Sequence, residues 1–74
     1  MTACLPTPEE ATMLAAMEAL IESGEPHGGG RTYEEHEVMR ACEAKGWATY
    51  YDGWHITDAG VAALARAKEA GIVG

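Results

Sequence analysis

The stretch Lys45-Gly46-Trp47-Ala48-Thr49-Tyr50-Tyr51-Asp52-Gly53-Trp54-His55-Ile56-Thr57-Asp58 decides the fold. Two runs rich in aromatic and β-branched residues flank Asp-Gly, a pair that tolerates positive φ and favours a two-residue type I′ turn. A hairpin over residues 47–56 is predicted. Its turn pairs Tyr51 with Trp54, Tyr50 with His55 and Thr49 with Ile56. Alternation then sets Trp47, Thr49, Tyr51, Trp54 and Ile56 on one face, and Ala48, Tyr50 and His55 on the other. Thr57 follows as the N-cap of a helix over residues 58–70, with Asp58 in its first turn favourably placed against the helix dipole.

Working back from the hairpin, Thr32-Tyr33-Glu34-Glu35 is a capping box, in which the first and fourth residues satisfy each other's free backbone amides. It opens a helix over residues 33–45 that Gly46 ends. Trp47 is placed for the apolar contact back to Cys42 that accompanies such an ending. Val38, Ala41 and Cys42 form the apolar side of this helix with Met39 at its edge, while Glu34, Glu37 and Arg40 face outward. A second capping box, Thr7-Pro8-Glu9-Glu10, opens a helix over residues 8–23. Met13, Leu14, Met17, Leu20 and Ile21 recur there at helical spacing, and Ser23-Gly24 stops it. Residues 24–31, Gly-Glu-Pro-His-Gly-Gly-Gly-Arg, lack periodicity and read as a flexible connector. In the last helix Val61, Leu64 and Ala65 point inward, its many alanines permit close approach, and Gly71 leaves Ile72-Val73 as an apolar tail. The expectation is a single α+β domain over residues 1–74, mainly α, in the order helix, helix, strand, strand, helix.

The segment Ala44-Lys45-Gly46-Trp47, the hairpin, and Trp54-His55-Ile56-Thr57-Asp58-Ala59-Gly60-Val61-Ala62-Ala63-Leu64 together resemble winged-helix regulators of the MarR and PadR type. The resemblance covers residues 44–70. It implies a reduced winged-helix-like domain in which the hairpin is the wing, and a transcription regulator that binds duplex DNA. One helix stands here where the family has a positioning and a recognition helix, so the helix-turn-helix is incomplete. Carried over residue by residue, Arg31, Arg40 and Lys45 are the positions left to contact DNA.

Charge argues for a different partner. The 74 residues carry a net charge of -7, and the first 30 hold five glutamates with no lysine or arginine. DNA binding draws its affinity from basic side chains that neutralise phosphates, so an acidic chain with five basic residues is disfavoured. At the wing tip Asp52 stands where a phosphate-contacting base would be expected. With 47% hydrophobic and 23% charged residues the chain should fold, although a domain of this size buries only roughly 60% of its unfolded surface.

Catalytic and metal chemistry find no constellation. Glu34 and Glu35 are adjacent on a helix and point apart, which prevents them from sharing a substrate as acid and base. His27, His36 and His55 lack the close spacing of a zinc site, and the glycine run lacks the Gly-Lys-Ser/Thr ending of a phosphate cradle. Cys4 and Cys42 read as free thiols, and the interrupted apolar run 11–21 is too short for a membrane span or leader. The expected protein is cytoplasmic, not an enzyme, and without cofactor.

The functional expectation is an acidic protein-binding module. It would act as an inhibitor or DNA mimic on a nucleic-acid-binding machine, in the manner of phage anti-CRISPR proteins. Glu34, Glu37, Tyr50, Tyr51, Asp52 and Trp54 are the expected partner-binding residues, because Trp and Tyr are enriched at binding hot spots and the carboxylates supply the charge. The alternative is the DNA-binding regulator. A homodimer joined through the apolar tail and the wing is a third arrangement.

Overall fold

A computed structural model describes residues 5–28 and 32–72; Cys4, Arg31 and Val73 lie outside them. Three helices and a two-stranded antiparallel sheet follow one another as α1 (Pro8–Glu18), α2 (Tyr33–Ala44), β1 (Ala48–Tyr50), β2 (Trp54–Ile56) and α3 (Asp58–Glu69). The class is α+β, mainly α, in the expected order.

Each helix starts where its cap lies. The Thr7 and Thr32 hydroxyls accept from the amides of Glu10 and Glu35, whose carboxylates accept the cap amides in return. Thr57 Oγ1 accepts from the Gly60 amide and donates to the Gly46 carbonyl at 2.6 Å, so one hydroxyl caps α3 and ties it to the end of α2. Gly46, at φ 80°, closes α2, and the Trp47 amide reaches back to the Cys42 carbonyl at 2.9 Å. Gly71 and Ile72 close α3 in the same way.

Regular helix α1 ends five residues sooner than the 8–23 expectation. From Leu20 the amides bond three residues back, to Met17 and Glu18, and these tighter turns continue until Gly24, at φ 72°, stops them. Ile21 has left the apolar stripe and is 53% exposed.

The hairpin register differs from the expected one by a residue. Ala48 pairs with Ile56, Thr49 with His55 and Tyr50 with Trp54, around a loop of Tyr51, Asp52 and Gly53. Asp52 and Gly53 do take positive φ, 55° and 122°. A one-residue slip exchanges the faces of a strand, so Ala48, Tyr50, Trp54 and Ile56 now share one face, opposite Thr49 and His55. Burial decides between the registers: this one lets Ala48 and Trp54, 3% and 5% exposed, enter the core side by side. A second constraint comes from the connector. His27 forms a β-bridge with Trp54 through two backbone hydrogen bonds, of 2.9 and 3.0 Å, and Pro26 packs against Gly53. That part of the connector is therefore pinned to β2.

The core comprises Ala11, Leu14 and Met17 from α1, Met39 and Cys42 from α2, Trp47, Ala48 and Trp54 around the sheet, and Ala63, Leu64 and Ala67 from α3. On α2 Met39 is fully buried while Val38 and Ala41 are half-buried, the reverse of the expected weighting. On α3 the buried stripe is Gly60, Ala63, Leu64 and Ala67, and Ala65 is exposed. This rotation follows from Gly60, where the helix backbone meets the Trp47 carbonyl so closely that a Cβ would lie 2.1 Å from its oxygen. Among the described residues no helix is long and apolar enough to cross a membrane.

Candidate functional site

The outer face of α2 carries two of the expected binding residues, Glu34 and Glu37, both exposed. Helical spacing explains this, since Met39 and Cys42 fix the opposite face in the core. Tyr33 precedes them at 78% exposure, an aromatic group that the sequence reading assigned no role.

At the hairpin tip Tyr50 and Tyr51 are 61% and 80% exposed, and Asp52 is exposed beside them. His55 Nε2 lies 3.1 Å from the Tyr51 carbonyl oxygen, bracing the turn. Trp54, expected among the partner-binding residues, is 5% exposed and belongs to the core. Its ring meets Tyr50 edge-on at a centroid distance of 5.2 Å and an interplanar angle of 71°. The tip thus presents two tyrosines and a carboxylate, held up by a buried tryptophan.

Glu34 also belongs to a groove between α1 and α2, of about 230 Å³, lined by Glu9, Thr12, Met13, Glu34, Glu35 and Val38. Met13 and Val38 supply its apolar part and three carboxylates its rim. Glu9, expected only in the first capping box, and Met13, expected only in the apolar stripe, line this groove together, because helical periodicity places residues on a face without saying which neighbouring helix completes a groove. A smaller cleft of about 170 Å³ runs between the end of α1 and β2, along Met17, Leu20, Ile21, Trp54 and Ile56.

Ten of the twelve acidic side chains are exposed, whereas several basic ones are engaged within the fold. Lys45 Nζ lies 2.8 Å from Glu10 Oε2 and 4.9 Å from the Trp47 ring centroid. Lys68 Nζ is 3.6 Å from Glu18, and Arg40 Nε is 3.8 Å from Glu43. Arg66 Nε is buried with no hydrogen-bond partner among the described residues. Of the positions that the regulator resemblance left for DNA, Arg31 is outside the described residues, while Arg40 and Lys45 already face carboxylates.

Cys42 is a free, buried thiol. Removal from water pushes its pKa up to about 11, helped by the negative charge of Glu10 and opposed by Lys45, so it is a poor nucleophile. Among the described residues no group of three or more His, Cys, Asp or Glu side chains is placed to hold a metal ion. No family model, curated protein or solved structure matches the chain.

Proposed function

We propose that this chain is a non-enzymatic, acidic protein-binding module that acts in the cytoplasm by occupying a basic, nucleic-acid-binding surface of a larger machine. One observation carries the reading: the exterior holds ten carboxylates, while Lys45, Lys68 and Arg40 are drawn into contact with Glu10, Glu18 and Glu43. Such a surface repels phosphates and attracts the groups that bind them. Tyr50 and Tyr51 at the hairpin tip add rigid aromatic area, with the exposed Asp52 following them in the loop. Occupation of a groove built for DNA is the mode of inhibition expected for a phage-encoded, anti-CRISPR-like protein, and the acidic exterior supports it.

The test is capture from a native-host lysate on the immobilised protein, followed by elution with duplex DNA. Basic nucleic-acid-binding proteins should be retained and then displaced by the duplex. They should be lost from a Glu34→Lys, Glu37→Lys, Asp52→Lys variant. Retention of the same proteins by that variant would end the proposal.

A winged-helix DNA-binding regulator is the second reading. The hairpin that runs directly into a capped α3, braced by the His27 bridge, favours it. Fluorescence anisotropy with a labelled duplex separates the two, since direct binding that collapses steeply with added salt belongs to the regulator alone.

A further inference from the structure

The groove between α1 and α2 has a composition that selects its occupant. Its rim carries Glu9, Glu34 and Glu35, its floor Met13 and Val38, and no lysine or arginine of the described residues lines it. At about 230 Å³ it falls below the roughly 300–1,000 Å³ of sites that enclose a small molecule. It suits one long side chain. A neutral aliphatic chain would make no use of the negative charge of Glu9 and Glu34, and a lysine presents a compact, strongly hydrated charge. Arginine meets both demands: its methylene stem covers apolar surface, and its planar guanidinium is weakly hydrated and donates in pairs to carboxylates.

We infer that this groove receives an arginine side chain from a basic segment of a protein partner, with the stem along Met13 and Val38 and the guanidinium at Glu9 and Glu34. The inference rests on the reading of the chain as an acidic protein-binding module and names a contact point within it. Glu35 already accepts the Thr32 amide at 3.2 Å, so it serves as a neighbouring charge. The polypeptide geometry supports an entry from solvent. Glu9 and Glu34 are both exposed on the second residue of their helices, each one position before the glutamate that closes the capping box.

The probe is a blocked tetra-arginine peptide, titrated at low salt into the ¹⁵N-labelled protein, with tetra-citrulline and tetra-lysine peptides as comparators. Shifts should concentrate on the amides of Glu9, Thr12, Met13, Glu34 and Val38, should be weaker with tetra-lysine, and should vanish with the neutral citrulline. The exposed isosteric variant Glu9→Gln, Glu34→Gln keeps the fold, as its amide dispersion will verify, and should weaken the peptide about fivefold. Equal shifts across all acidic faces, or none, would overturn the inference. So would shifts that appear only in Arg31→Gln, because the groove would then belong to this chain's own arginine. If lysate capture survives in the Glu9→Gln, Glu34→Gln variant while the peptide fails, the groove is not the contact and the wider reading stands.

Discussion

Lys45 Nζ donates to Glu10 Oε2 across 2.8 Å and so fastens the C-terminal end of α2 to the first turn of α1. The same carboxylate caps α1, its Oε1 accepting from the Thr7 amide at 2.9 Å. Only 5% of the Glu10 side chain is exposed, so it relies on these donors, whereas Lys45 is 39% exposed. Lys45→Met preserves the stem beside Trp47 and deletes the charge. It should cost about 1–2 kcal/mol, below the 3–5 of a fully buried pair because water reaches the lysine. Urea unfolding measures this, and a loss under about 0.5 kcal/mol would mean that Glu10 finds solvent in its place.

Gly60 offers a test in which two effects have opposite signs. Helix propensity alone makes Gly→Ala favourable by about 1 kcal/mol inside a helix. At position 60, however, the new Cβ would lie 2.1 Å from the Trp47 carbonyl oxygen and 2.7 Å from Ile56 Cγ1. The neighbour in the way is backbone, which cannot swing aside. Gly60→Ala should therefore destabilise by about 2 kcal/mol or more, whereas Ala62→Gly on the exposed face should cost about 1 through propensity. A thermal melt followed by circular dichroism that places Gly60→Ala above the parent would refute the close approach of α3 to Trp47.

Gly60 also marks the limit of what the sequence discloses. Local signals were legible: Thr7, Thr32 and Thr57 cap the helices, Gly46 and Gly71 end them, and Asp52 and Gly53 take positive φ in the turn, although within a three-residue loop and not the expected two-residue one. These depend on residues within a few positions of one another. The rotation of α3, the central place of Met39, and the register that buries Trp54 depend on contacts between distant segments, and each departed from expectation. The candidate surface divides likewise. Glu34 and Glu37 are exposed as the helix face suggested, whereas Tyr50 and Tyr51 are exposed on a register that alternation did not give, and the groove partners Glu9 and Met13 required the packing of α1 on α2.

His27 lies in a glycine-rich connector yet exchanges two backbone hydrogen bonds with Trp54. Amide hydrogen exchange should therefore find the His27 and Trp54 amides protected together, opening in one event, and well above the amides of Glu25 and Gly28. His27→Pro removes the His27 donor and should lower the protection at Trp54 as well. Uniform fast exchange from Glu25 to Gly28 would return the whole segment to a flexible connector.

The Cys42 thiol ties stability to alkaline pH. Its pKa is raised from 9.0 to about 11 in the folded chain, chiefly by burial. The folded state thus keeps a proton that the unfolded state releases, and stability is fully present below pH 9.0 and falls as pH rises toward about 11. In a Cys4→Ser background, replacement by Cys42→Ala should flatten this part of the profile. Alkylation of Cys42 at neutral pH should be slow in buffer and fast in urea. A native rate equal to the denatured one would place the thiol at the surface.

Tyr51, Tyr50 and Trp54 form a graded series along one hairpin, and the gradient separates binding from folding. Tyr51 is 80% exposed, and Tyr51→Ala should change stability by less than about 0.5 kcal/mol. Tyr50 touches Trp54 edge-on at 5.2 Å, and its loss should cost about 1 kcal/mol. Trp54 is 5% exposed, and Trp54→Ala should cost about 3–5 kcal/mol, enough to unfold much of a domain this small. Partner capture by the folded Tyr51→Ala variant is then the informative measurement. If capture falls while the melt stays in place, the ring contacts the partner. If capture and melt are both unchanged, the Tyr51 ring plays no part in binding, and the interaction is carried by the acidic face of α2 and the rest of the tip.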